Sequence, residues 1–284
     1  MKLPGFVFLL LLWGAGCLAA PQTVRDAQGH ALTLAAPPRR IVSLAPGTTE
    51  MLFALGLGKS VVGDTTYCDY PPAARRVSKI GDVTVNYEKV VALHPDLIVA
   101  SDANSAAAIR LRQLGLPVFA IAPTSYAAVE QALRILGQLT RTEPRARQVV
   151  GTMEAARAYA AQSAHRDHHQ PRVLPVVGAN PLFVAGQGTF IGDLIVQAGG
   201  QSTVGGVPGY ASYSKELALT HPPDLILADA ASQAALQADP VLKHLPAVRN
   251  RRFVSIDPNL LNRPGPRLAD ALRQLTRALH PGTL

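Results

Sequence analysis

The chain has 284 residues, 48% of them hydrophobic and 16% charged, with a formal net charge of +8. That length allows one large or two medium domains with real cores, and the composition excludes a disordered chain. The basic residues are scattered in short clusters, at Arg39-Arg40, at Arg75-Arg76 and between Arg249 and Arg252. With no long stripe interleaved with aromatics, they form a solvated surface, and nucleic acid is not an expected partner.

The N-terminus carries targeting information. Lys2 precedes an uncharged apolar run from Phe6 to Trp13, followed by small residues from Gly14 to Ala20, the pattern of an export signal over residues 1–20. The run is shorter than the ~20 residues of a permanent membrane helix. Gly14-Ala15-Gly16-Cys17 approaches a lipoprotein cleavage box, with Gly where Leu is usual. Lipid attachment at Cys17 and simple cleavage near Ala19 or Ala20 therefore both stand. Cys68 is unpaired in the mature chain, which rules out a disulfide framework and a Cys-based zinc site. It reads as a small, buried, inert thiol.

Residues 21–36 suit a short hairpin or extended arm turning at Gln28-Gly29. A strand follows at Arg40-Ile41-Val42-Ser43-Leu44, then a turn and helix start at Pro46-Gly47-Thr48-Thr49-Glu50, and a helix that ends at Gly56. Val61-Val62-Gly63 is the next strand and leads into the loop Thr65-Thr66-Tyr67-Cys68-Asp69-Tyr70-Pro71-Pro72. Next comes a phrase that occurs twice. Glu88 opens an apolar helical turn, His94-Pro95 stops it, and Asp96-Leu97-Ile98 begins a strand; Glu216, His221-Pro222 and Asp224-Leu225-Ile226 repeat the order. Pro disfavours helix in the residue before it, and the short unalternating apolar runs suit parallel strands covered on both faces. Two matching acids on two related α/β units could both face one two-fold partner.

After the first copy, a helix over residues 106–114, a strand over 118–121 and a helix over 126–139 continue the alternation, which implies a parallel sheet wrapped by helices. Glu143-Pro144 then opens a long helix rich in Ala and Arg, long enough to cross between two lobes. The His-rich tail from His165 to His169 reads as a solvated linker rather than a metal site. The second lobe begins with a strand from Arg172 to Val177 and continues through Asn180-Pro181-Leu182-Phe183 to Gly186-Gln187-Gly188 and Gly192. That last spacing approaches a dinucleotide fingerprint with one residue too many, so an NAD-type oxidoreductase is kept as the non-transport alternative. The second phrase, a helix near residues 241–245, a strand over 253–256, a loop over 257–266 and a helix over 267–279 complete the chain.

The expected fold is thus two parallel-sheet α/β lobes joined by a single long helix, with a ligand cleft between them. Residues 21–142 form the N-terminal lobe, 143–166 the linker helix and 167–284 the C-terminal lobe. No nucleophilic elbow, zinc-protease motif or Cys-His pairing is apparent. His94 and His221 sit before Pro at helix ends, as capping or surface residues. No catalytic residue, metal site or cofactor is expected.

Several phrases together resemble one family. Ile41-Val42-Ser43-Leu44-Ala45-Pro46 with Thr49-Glu50, Tyr67-Cys68-Asp69-Tyr70-Pro71-Pro72, Glu88 with His94-Pro95-Asp96-Leu97, Asn180-Pro181-Leu182-Phe183, and Arg263-Pro264-Gly265-Pro266-Arg267 follow in order. From about residue 38 onward the chain is similar to substrate-binding proteins of ABC importers that take cobalamin, haem and ferric siderophores, nearest to the vitamin B12-binding proteins. The resemblance implies an extracytoplasmic, monomeric carrier whose ligand is a corrinoid, with haem or a ferric siderophore as alternatives. It assigns Tyr67, Phe183 and Tyr210 to the walls of the cleft and Asp257 and Arg263 to a contributing loop, and Tyr67 could also ligate haem iron. It further implies that Glu88 and Glu216, one per lobe, dock on the importer's membrane subunits. Tyr210 stands where a Trp is usual, and the loop over residues 257–263 is about two residues longer than in the best-known relatives.

Overall fold

The computed structural model describes residues 21–82, 84–102 and 104–282; the export signal expected over residues 1–20, with Cys17, lies outside the described residues. The chain enters on an antiparallel hairpin, β1 (Gln22–Arg25) with β2 (Ala31–Leu34). The first lobe then runs β3 (Ile41–Ser43), α1 (Pro46–Ala54), β4 (Val61–Asp64), β5 (Ser78–Lys79), α2 (Tyr87–Ala92), β6 (Leu97–Ala100), α3 (Ala106–Gln113), β7 (Val118–Ala120) and α4 (Tyr126–Thr140). Its strands form a parallel sheet in the order β5-β4-β3-β6-β7. Strand order reverses between β3 and β6, and in such sheets ligands lie beyond the carboxyl ends of the strands at that point.

The helix α5 (Glu143–Asp167) follows, 25 residues long, or ~37 Å at 1.5 Å per residue. The second lobe runs β8 (Arg172–Ala179), β9 (Leu182–Ala185), α6 (Phe190–Gln197), β10 (Gln201–Ser202), β11 (Tyr210–Ser212), α7 (Lys215–Thr220), β12 (Leu225–Leu227), α8 (Ala230–Ala238), α9 (Pro246–Arg249), β13 (Phe253–Val254), α10 (Pro258–Leu261) and α11 (Leu268–Leu279). The parallel set β10-β8-β12-β13 reproduces β4-β3-β6-β7 of the first lobe. Unlike its counterpart, this sheet continues past β8 into an antiparallel extension, β9 and then β11. The expected loop over residues 257–266 contains the short helix α10.

The repeated phrase has one structure in both lobes. The side chains of Asn86 and Ser214 cap α2 and α7 by accepting the N–H of Lys89 and of Leu217, which satisfies a backbone donor the helix start leaves over. The Asp that follows His-Pro then fastens the first strand of its lobe. Asp96 accepts the N–H of Arg39 at 2.7 Å and of Arg40 at 2.9 Å, and Asp224 accepts the N–H of Arg172 at 2.8 Å.

One apolar core crosses the whole molecule. The inward stripe of α5, at Ala146, Val150, Met153, Ala156 and Ala160, is buried with Met51 and Leu52 of the first lobe and with Ile191, Leu194, Leu272 and Leu275 of the second. Such three-and-four spacing places one helix face against its neighbours. Among the described residues, no helix is long and apolar enough to cross a membrane.

Candidate functional site in the interlobe cleft

The loop after β4 reaches into the gap from the first lobe. Its interior is pinned by small polar groups: Cys68 is buried, Thr49 donates its hydroxyl to the Cys68 sulfur at 3.1 Å, and the Thr65 hydroxyl lies 3.2 Å away. Burial pushes the Cys68 thiol up, as expected of an unreactive buried Cys. Beneath the loop, buried Asp64 bonds the Lys79 ammonium at 2.7 Å. Burial raises Asp64 to about 6, with Lys79 pulling the other way. Tyr67 and Tyr70 project outward, 55% and 44% exposed.

From the second lobe, the segment between β13 and α11 meets this loop. Arg263 donates to Asp69 at 2.5 Å and lies 3.7 Å from Glu50. Arg267 binds the buried Glu50 carboxylate with both arms, at 2.8 and 2.5 Å, and its guanidinium carbon stands 3.9 Å from the centroid of the Tyr70 ring. The Arg263 hydrogen bond holds Asp69 below the usual carboxylate range. A Cβ on Gly47 would come 2.4 Å from the carbonyl oxygen of Pro264, so the lobes touch backbone to side here, and only glycine permits it.

Beside this contact, a hollow of about 150 Å³ opens in the second lobe, between the middle of β8 and the carboxyl end of β12. Val176, Ile191, Leu227, Ile256 and Leu261 give it apolar walls, and Tyr210 and Asn262 supply polar groups. Of the described residues that line it, Asp229 is the one charged side chain, and its carboxylate is occupied in capping α8 through the N–H of Ser232.

The residues singled out in the sequence fall into three groups. Tyr67 is exposed on the first-lobe loop that meets the second lobe, and Tyr210 lines the hollow within the second lobe. Ser212 pairs with Phe183 across the β11–β9 ladder; because side chains alternate along a strand, Phe183 shares the face of Ser212 and Tyr210. Asp257 and Arg263 are engaged within the protein instead. Asp257 caps α10 through the N–H of Asn259 at 2.9 Å, and Arg263 is held by Asp69 and Glu50. Glu88 and Glu216 lie apart from these, exposed in the first turns of α2 and α7. The Ser214 hydroxyl donates to Glu216 at 2.6 Å and lowers its carboxyl.

Glu50, Arg267, Asp64 and Lys79 were not identified from sequence as site residues. Glu50 and Arg267 stand 217 positions apart, and each alone looks like an ordinary helix-start charge. Of the three glycines that suggest a dinucleotide turn, Gly188 takes a left-handed φ of 77° and the other two are held by close packing. A Cβ on Gly186 would lie 2.0 Å from the carbonyl oxygen of Val207, and one on Gly192 would lie 2.5 Å from that of Gly186. His94 and His221 are exposed at helix ends, His94 with a φ of 43°. No group of three or more His, Cys, Asp or Glu among the described residues could hold a metal ion.

Two α/β lobes facing each other across a cleft are the layout of a binding protein. Residues 41–260 match the periplasmic binding protein family, and the chain belongs to it. It is an extracytoplasmic substrate-binding protein and not an enzyme. An uncharacterized ABC transporter substrate-binding lipoprotein of Bacillus subtilis is 30% identical, over 93% of this chain and 87% of its own. A cobalamin-binding protein of Halobacterium salinarum is also 30% identical, over 93% of this chain and 75% of its own. Among solved structures, the periplasmic heme-binding protein RhuT from Roseiflexus sp. superposes with a TM-score of 0.74 at 30% identity, covering 87% of this chain and 99% of that one.

Proposed function

We propose that this protein captures cobalamin or a related corrinoid and delivers it, as a monomer, to the membrane subunits of an ABC importer. The cleft carries the aromatic and apolar surface that a large, flat ligand needs, with Tyr67 on one side and Tyr210 and Phe183 on the other. One observation favours a corrinoid over haem. The charge lining the hollow is the carboxylate of Asp229, and the neighbouring cations Arg263 and Arg267 are already neutralised by Asp69 and Glu50. A rim of neutral amides suits such walls, whereas haem propionates would need free cations. The corrinoid is cargo here, not a cofactor. The cobalamin-binding relative supports this choice.

The second choice is haem, favoured by the exposed phenol of Tyr67, a group able to ligate ferric iron, and by the heme-binding structural neighbour. A leader over residues 1–20 exports the chain; the lipoprotein relative supports a tether at Cys17 over simple release. Trp13, the one Trp, leaves with that leader, so calorimetry is the suitable readout. Cyanocobalamin should bind the leader-free protein one to one with sub-micromolar affinity; no heat with cyanocobalamin but tight binding of haemin or a ferric siderophore would move the substrate.

Docking falls to Glu88 and Glu216. Exposed carboxylate–Arg contacts steer a complex more than they hold it, which suits a carrier that must leave after delivery. Replacing both with Lys should leave cyanocobalamin affinity unchanged and abolish stimulation of importer ATPase activity; a fall in ligand affinity instead would place them in the cleft.

A further inference from the structure

We infer that Lys79 is a positioning residue for ligand capture, holding residues 65–76 in the shape that presents Tyr67 and Tyr70 to the cleft; the role presupposes the cobalamin function proposed above. Lysine has three N–H donors and no acceptor. Here all three find oxygens, Asp64 Oδ1 at 2.7 Å and the carbonyls of Cys68 and Ala74, each at 3.0 Å. These acceptors come from three stretches of chain: the end of β4, the middle of the aromatic loop, and the 3-10 turn at Pro72–Arg76 that returns the chain to β5. One ammonium therefore fixes both limbs of the loop to the sheet beneath it.

The placement of Lys79 follows from the fold. It lies directly beside Asp64 in the parallel register of β4 and β5, with 29% of its side chain exposed. Asp64 is fully buried, and its second oxygen, Oδ2, has no hydrogen-bond partner. A buried carboxylate in that condition depends heavily on the one cation it has. From the second lobe, Arg263 and Arg267 meet Asp69 and the Tyr70 ring at the outer edge of the loop; the exposed Tyr67 ring adds little to fix its own backbone, so beneath that edge Lys79 is the group that ties both limbs to the sheet.

The test has a ligand-free arm and a ligand arm. In the unliganded protein, amide hydrogen exchange across residues 66–77 should be about tenfold faster in Lys79→Met than in wild type, with exchange in α4 and α5 unchanged. With cyanocobalamin in stopped flow, the same variant should associate about tenfold more slowly and dissociate at nearly the wild-type rate, because fewer molecules hold the competent loop. Asp64→Asn keeps an amide oxygen for Lys79 and should move both readouts the same way by less. Unchanged exchange, uniform acceleration throughout the protein, or a loss confined to dissociation would overturn the assignment. If wild type takes neither cyanocobalamin nor haemin, the proposed function falls, while the exchange arm still decides the role of Lys79.

Discussion

At Asp64, burial works against a charge the fold nevertheless keeps. The carboxyl is raised from 3.8 to about 6, first by desolvation, with Lys79 offsetting part of it. The folded state thus binds this proton more tightly than the unfolded state, and Asp64 lowers stability as pH rises from about 4 to about 6. Above that window its cost is complete, about 3 kcal/mol at 1.36 kcal/mol per pH unit. Asp64→Asn removes the titration, so the stability of the variant relative to wild type should climb between pH 4 and pH 6 and level off above. Urea denaturation across that range measures it, and a pH-independent difference would contradict the raised carboxyl. Acid forms of the protein should also hold the Tyr67 loop less firmly, since protonated Asp64 no longer balances the Lys79 ammonium.

Among the helices, two glycines differ in packing: Gly137 is buried and Gly151 exposed. In α4, a Cβ on Gly137 would lie 2.5 Å from the Cβ of Ala146 on α5; on Gly151, in the middle of α5, it would meet nothing within 4 Å. Gly137→Ala should force the helices apart and cost about 1–3 kcal/mol. Gly151→Ala should instead stabilise by about 1 kcal/mol through helix propensity alone. Paired denaturation curves test both, and equal effects would mean that α4 and α5 do not meet at Gly137. Elements of this kind were largely legible in the sequence: the repeated phrase marked α2, α7, β6 and β12, and Pro144 marked the start of α5. The helix α8 was not, because its Ala and Gln residues bury only Ser232 and Leu236 and so trace no apolar stripe. Nor was the extension of β9 and β11, whose short strands are defined by pairing with β8 rather than by an alternating pattern of their own. Tyr67 and Tyr210 were assigned to the cleft through the resemblance alone, whereas the Asp64–Lys79 and Glu50–Arg267 pairs exist only after folding brings the partners together.

Across the whole molecule, the two lobes are joined by more than the linker helix. A continuous core runs through α4, α5, α6 and α11, and on the cleft side the chain adds the Glu50–Arg267 pair, with Glu50 2% and Arg267 16% exposed at the side chain. Such a frame resists wide hinge opening, because separation would expose apolar surface and break a shielded ion pair at once. The energetic signature of that pair is asymmetric. Removing one partner strands the other charge in a poorly hydrated place, whereas removing both leaves nothing stranded. Glu50→Gln should therefore cost about 3 kcal/mol, Arg267→Met a comparable amount, and the double variant little more than either alone. Because Arg267 also faces the Tyr70 ring, the Met variant should further weaken cyanocobalamin binding more than Glu50→Gln does. Single-variant costs that simply add in the double variant would show that the two side chains do not act as one interlobe contact, and the lobes would then be free to hinge about α5.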